Sequence, residues 1–167
     1  MAIKANKDII RGIGFVTVYW AYLEDKMADL IRNINNSIPL PKKIENKGLT
    51  QKAKCLKDAL TGLFENATYK LKDQDHNQVV TVLDKVIEAA KKRNMVIHAV
   101  HISDKGTVIR KDRLKNLSEK VTPSDMYEFA NQVIKLKGDV FGLKFPTGRL
   151  INSILKDEKK PHAGWGN

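Results

Sequence analysis

Apolar residues recur at steps of three and four through most of the chain. Ile9, Ile13, Val16, Trp20, Leu23, Met27, Leu30 and Ile34 form the first series, with Ile10 and Ile31 widening the stripe. That period predicts a long amphipathic helix of bundle type. Gly12 and Gly14 weaken its first third by about 1 kcal/mol each relative to alanine, unless a close helix contact uses their missing side chains. The helix ends at Asn35-Asn36-Ser37, because Pro39 and Pro41 lack a donor and disfavour helical geometry in the preceding residue. A polar, mostly basic connection runs from Lys42 to Lys47. Thr50 then stands where a cap is expected for a second helix carrying Ala53, Leu56, Leu60, Leu63 and Phe64 on its apolar side.

Residues 73–77 read as a turn, and Asp75 with Gln78 has capping-box spacing. Val79, Val80, Leu83, Val86, Ile87 and Ala90 mark the buried stripe of a third helix. After His98 the pattern changes: Val100, Ile102, Val108 and Arg110 flank Asp104-Lys105-Gly106, which predicts a short β-hairpin or loop insertion. Thr122 is the expected N-cap of the next helix, with Pro123 at the first helical position and Asp125 completing an acidic capping box. Met126, Phe129, Ala130, Val133, Ile134, Leu136 and Val140 face its core. Gly138, Gly142, Pro146 and Gly148 punctuate the chain beyond that stripe, leaving a short terminal helix over 149–156 and loose chain from Pro161. The predicted fold class is all-α, an up-and-down bundle of four main helices with a hairpin after the third. It forms one domain over residues 1–157, followed by a flexible tail over 158–167.

A chain of 167 residues with 42% hydrophobic content can bury one cooperative core. Its 30 Lys and Arg against 19 Asp and Glu give a formal charge of +11, which favours a polyanionic partner. No apolar run approaches the roughly 20 residues needed to span a bilayer, and Met1-Ala2-Ile3-Lys4-Ala5-Asn6 lacks the apolar core of a signal peptide. The expected location is the cytoplasm, with no membrane partner. The single cysteine, Cys55, can form no internal disulfide and reads as a small core residue.

Candidate chemistry lies at the end of the third helix, in Arg93-Asn94-Met95-Val96-Ile97-His98. Asn94 and His98 stand on one face about 40° apart, and Arg93 lies about 100° round from Asn94. A fixed cation, an amide and a titratable base are thus gathered on one length of helix. The plain alternative is a helix end whose Arg and His meet the negative end of the macrodipole. In the first helix, Glu24 has only Trp20, Ala21, Met27 and Ala28 at helical spacing, so it needs a partner across the bundle, for which Arg93 and His98 are candidates.

These residues carry a resemblance. The Arg-Asn-x-x-x-His pattern and the segment Trp20-Ala21-Tyr22-Leu23-Glu24 are similar to those of the HEPN superfamily, small helical bundles of prokaryotic defence and toxin systems. The likeness spans roughly residues 9–101. It implies a metal-independent endoribonuclease without cofactor, acting on RNA as a homodimer whose motif helices line one cleft. An antitoxin or nucleotidyltransferase-like protein is the partner such a toxin pairing would supply. His98 would act as general acid or base on the ribose 2′-hydroxyl or the leaving 5′-oxygen, Arg93 would stabilise the phosphorane, and Asn94 would hold the phosphate or the histidine. Glu24 is an orienting candidate. One toxin branch carries a tyrosine two residues beyond the histidine, where Val100 stands here.

Other groupings are weaker. His101 lies three residues beyond His98 without a third ligand, and Asp73, Asp75, Asn77 and Asp84 mimic a calcium loop except that Gln78 occupies the glycine position, so no metal site is expected. Glu88 is expected in a solvated ion pair with its lysine neighbours. Lys42, Lys43, Lys47, Lys52, Lys54 and Lys57 form one basic zone and Arg110, Lys111, Arg113 and Lys115 another, suited to phosphate-backbone contacts with RNA. Two alternatives to the nuclease stay open: a non-catalytic nucleic-acid-binding module, and a dimeric adaptor whose basic surface meets an acidic protein.

Overall fold

The computed structural model describes residues 7–38, 40–41, 44–98, 100–104, 107–112 and 117–158. Along the chain come α1 (Lys7–Asn35), α2 (Leu49–Asn66), α3 (Lys72–His98), β1 (Val100–Asp104), β2 (Thr107–Asp112), β3 (Leu117–Val121), α4 (Pro123–Gly142) and α5 (Lys144–Glu158). The all-α bundle with a hairpin after its third helix, expected from the hydrophobic pattern, is the fold.

On α1 the periodic residues from Ile9 to Ile34 are buried, Ile13 only partly, but Ile10 turns outward and is 56% exposed. The two glycines differ. A Cβ on Gly12 would lie 2.5 Å from Met126 Cβ, so the bare backbone is what lets α1 and α4 approach, whereas a Cβ on Gly14 would meet nothing within 4 Å. Phe15 tilts on Tyr127 near the start of α4, and farther along Asp29 and Leu30 share a small cavity with Val140 and Phe141. α1 and α4 therefore run in the same direction.

α3 runs against α2: His76 Nε2 meets Thr61 Oγ1 at 3.2 Å early in α3, and Lys57 pairs with Asp84 at 2.7 Å farther on. It also runs against α4, since Lys92, late in α3, lies over Phe129 early in α4. Direction thus alternates through α2, α3 and α4. The connection over residues 36–48 is long enough to carry the chain back along the bundle between α1 and α2. It is pinned by buried Ile38, Leu40 and Ile44, and by the Leu40 N–H donating to Asn35 Oδ1 at 2.9 Å.

Several local expectations are corrected. Gly48, not Thr50, is the N-cap of α2, and it offers no side-chain bond. Residues 73–77 are not a turn but helix, since α3 starts at Lys72, and Asp75 does not cap it because a distant arginine takes its carboxylate. Gly138 and Gly142 lie inside α4, only Leu143 separates α4 from α5, and the terminal helix starts at Lys144 instead of 149. Pro146 falls in the first turn of α5, where a missing N–H has no partner to lose.

The hairpin pairs Asp104 with Thr107, as the Asp-Lys-Gly turn predicts. The hydrophobic pattern does not predict the third strand: β3 pairs Val121 with Val108 and Glu119 with Arg110, and Leu-Ser-Glu-Lys-Val is too short and polar to stand out by alternation. It delivers the chain to Thr122. There the expected cap forms in full: Thr122 Oγ1 accepts the Asp125 N–H at 3.2 Å and Asp125 Oδ2 accepts the Thr122 N–H at 2.8 Å. One buried cluster runs from Ile9 to Leu150, with Leu23, Met27, Phe64, Leu83 and Phe129 among its fully sealed members. No helix among the described residues is long and apolar enough to cross a membrane. Beyond Glu158 the tail expected over 158–167 lies outside the described residues.

Candidate functional site

The motif occupies the last two turns of α3. Arg93 is half-buried and swings toward α1, its Cζ 5.9 Å from the centroid of the Trp20 ring. The Trp20 indole N–H donates to Glu24 Oε1 at 2.9 Å. A carboxylate accepting that N–H enriches the ring in electron density, and an electron-rich ring holds a cation better. Glu24, Trp20 and Arg93 thus form a relay in which the carboxylate acts on the guanidinium through the indole. Glu24 itself is exposed, and no hydrogen bond or ion pair joins it to Arg93 among the described residues. The partner expected across the bundle sits one turn back on its own helix, an aromatic donor in place of a cation.

Arg93 has a second feature. Its Nε is sealed from solvent and makes no hydrogen bond, while Nη1 reaches only as far as Asn94 Oδ1, at 3.4 Å. Burying a cationic donor without an acceptor is unfavourable, so this guanidinium is held by its ring contact and not by hydrogen bonds. Asn94 is exposed beside it. His98 closes the helix, and its side chain, like that of His101 in β1, lies outside the described residues.

The basic zones divide. Because α2 and α3 are antiparallel, the start of α2 stands at the motif end of the bundle, bringing Lys47 and Lys52 there. Lys47 donates to Cys55 Sγ at 3.1 Å, and Cys55 is half-buried against the core. Lys42, Lys43, Arg113 and Lys115 lie outside the described residues, as does the side chain of Lys111 in β2. Arg110 lines a groove of about 900 Å³ between α3, α4 and the sheet. Lys85, Lys91, Lys92, Lys120 and Lys135 line it too, against Glu88, Asp125 and Asp139, over a floor that includes Met126 and Phe129. Lys85, Glu88, Lys92 and Met95 bring one face of α3 to this groove, while Arg93 turns away from it. Sequence reading does not find the groove, because its lysines come from separate elements.

The charged group most completely enclosed by the fold lies at the opposite end of α3. Asp75, 1% exposed, accepts two bonds from Arg149 of α5, Nε at 2.7 Å and Nη2 at 2.6 Å, and one from the Tyr69 hydroxyl at 3.1 Å. The Arg149 guanidinium holds the Asp75 carboxyl below its ordinary value, while burial and the adjacent carboxylate push the Tyr69 hydroxyl up. Every oxygen is satisfied, which marks a structural clamp. Glu88 pairs with Lys91 at 2.7 Å on the surface, as expected. No cluster of metal-ligating side chains exists among the described residues. Tyr19 stacks on Phe15 and Tyr69 serves the clamp, while Trp165 lies outside the described residues.

No family model, curated protein or solved structure matches this chain.

Proposed function

We propose that the protein is a metal-independent endoribonuclease of HEPN type, toxin or defence-related, working as a homodimer in the cytoplasm. His98 is the general acid or base, Arg93 stabilises the phosphorane, Asn94 holds the phosphate, and an antitoxin or nucleotidyltransferase-like protein restrains the activity. One observation carries the reading: a half-buried guanidinium held against an aromatic ring, whose Nη1 has only a long contact to an exposed amide, on the helix that His98 closes. The Nη edge beside Asn94, and not the sealed Nε, is the donor a phosphate oxygen would meet in a short charge-assisted bond. Lys47, Lys52 and Arg110 serve as backbone contacts to RNA.

The test is cleavage of single-stranded RNA in EDTA, leaving 2′,3′-cyclic phosphate ends. Arg93→Ala and His98→Ala should each lower the rate by about 10²–10⁴-fold, the range for loss of a general acid–base or charge-stabilising group. Cleavage that persists in His98→Ala removes the assignment. A second reading is favoured by the lysine-lined α3–α4 groove: a nucleic-acid-binding module without catalysis. It predicts salt-sensitive RNA binding that both variants keep, with no cutting. An adaptor for an acidic protein would instead show no RNA affinity at physiological salt.

A further inference from the structure

The seam between α3 and α4 is filled on one side and open on the other. On the core side α1 lies along it, with Gly12 against Met126 and Trp20 against Arg93. The opposite side is the groove of about 900 Å³ bounded by the sheet. Two neighbouring helices leave a trough whose shape suits a third, and no helix among the described residues takes it. Its walls carry an excess of cations. Lys85 and Lys92, seven positions apart on one face of α3, stand across from Lys135 of α4, and Lys120 of β3 stands at the sheet. None of the four makes an ion pair among the described residues. Lys92 instead lies over the Phe129 ring at 4.7 Å and donates to Gln132 Oε1 at 3.5 Å. Of the three carboxylates in the groove, Glu88 is neutralised by Lys91 and Asp125 accepts the Thr122 N–H. Unpaired ammonium groups gathered round one concavity repel each other, and an anionic occupant relieves that repulsion. The floor beneath them is apolar, with Met126, Phe129 and Leu136 in it.

We infer that this groove is the docking site for an acidic amphipathic helix of a partner protein. The apolar stripe of that helix lies on the floor, and its carboxylates meet Lys85 and Lys92 on one wall and Lys135 on the other. A carboxylate arriving at Lys92 draws the ammonium off the Phe129 ring and opens that face to an apolar side chain. From Lys85 to Met95 the α3 wall is about 15 Å long, which matches almost three turns of the occupant. A phosphate backbone would also meet the lysines, but it leaves the floor bare and encounters the three carboxylates. The docked helix covers Arg110, which the proposed function gives to RNA, and so restrains cleavage by keeping RNA off. That restraint rests on the nuclease reading; the docking does not.

The test is fluorescence anisotropy of a labelled synthetic peptide of three heptads, leucine at a and d and glutamate at e and g, added to the full chain. It should bind at least roughly tenfold tighter than a scrambled peptide of the same composition, or than one with glutamine in place of leucine. Lys85→Glu combined with Lys135→Glu, both at exposed positions, should weaken binding by at least roughly tenfold. A peptide with lysine in place of glutamate should bind that variant better than the wild type, which a damaged fold would not do. Lys54→Glu with Lys156→Glu makes the same charge change away from the groove and should leave the affinity within about twofold. Equal affinity for the scrambled peptide, or for the groove variant and the wild type, overturns the inference. So does a groove variant that loses single-stranded RNA binding and keeps the peptide, which gives the groove to a nucleic acid. With peptide at ten times its Kd, RNA cleavage should slow by roughly tenfold. A protein that holds the peptide in the groove yet cuts no RNA overturns the nuclease reading and upholds the docking.

Discussion

The two ends of α3 treat a buried charge in opposite ways. At the N-terminal end Asp75 accepts three hydrogen bonds and is sealed between α5 and the α2–α3 connection. At the C-terminal end Arg93 leaves its Nε without an acceptor and leans on an aromatic ring. A fully satisfied buried ion pair fixes geometry, and breaking one side of it is costly. A guanidinium whose Nη1 makes only a 3.4 Å contact adds little to holding the fold and keeps that edge for an anion from outside, while its sealed Nε stays out of reach. The first end holds the bundle together; the second is where the proposed activity is placed.

That contrast breaks most sharply under substitution. The largest expected effect is on RNA cleavage, about 10²–10⁴-fold for Arg93→Met as for Arg93→Ala, while the melting temperature of Arg93→Met stays within the span of an ordinary surface change, about 0.5 kcal/mol. Thermal unfolding beside a cleavage assay separates the two readouts. Asp75→Ala should do the reverse. It strands Arg149 and costs about 3 kcal/mol, the low end for a broken buried pair because the Arg149 side chain is 42% exposed. Activity per folded molecule should be unchanged.

Next comes Gly12→Ala, which drives a methyl group into Met126 and should cost about 1–3 kcal/mol by overpacking in denaturant titration. The acid limb of the stability curve comes from Asp75. Its carboxyl is held below the ordinary value, chiefly by Arg149, so the stabilisation is present above the unfolded value of about 3.9 and is lost as pH falls through the folded one. Stability measured by urea titration should therefore drop below about pH 4 in the wild type, and Asp75→Asn should lack that part of the drop. The smallest effect is Gly14→Ala, a gain of about 0.5–1 kcal/mol from helix propensity at a position in open space.

Signals contained within a few residues are legible in the sequence. The α1 stripe, the Thr122-Pro123-Asp125 cap and the strands that flank residues 105–106 each need only their neighbours to be read, and each stands where the pattern puts it. Edges of stripes are less so: Ile10 and Ile134 are apolar at near-helical spacing yet exposed, because a helix buries an arc whose width its neighbours set. Asp75 misleads for the same reason. Its spacing to Gln78 imitates a cap, and nothing nearby announces an arginine 74 positions away.

At the candidate site, the order of residues along the chain marks Arg93, Asn94, His98 and Glu24 as candidates only. Packing supplies what joins two of them, since the Trp20 indole becomes a link only when α1 and α3 lie together. By itself the sequence determined the four main helices, the hairpin, the Thr122 cap and the basic character, all of which arise from local periodicity and composition. Tertiary structure decided the direction of α1, the third strand, the Asp75 clamp, the lysine-lined groove and the unsatisfied guanidinium. Each of these depends on which surfaces meet, and that is settled by burying all the apolar stripes at once, not by any one stripe.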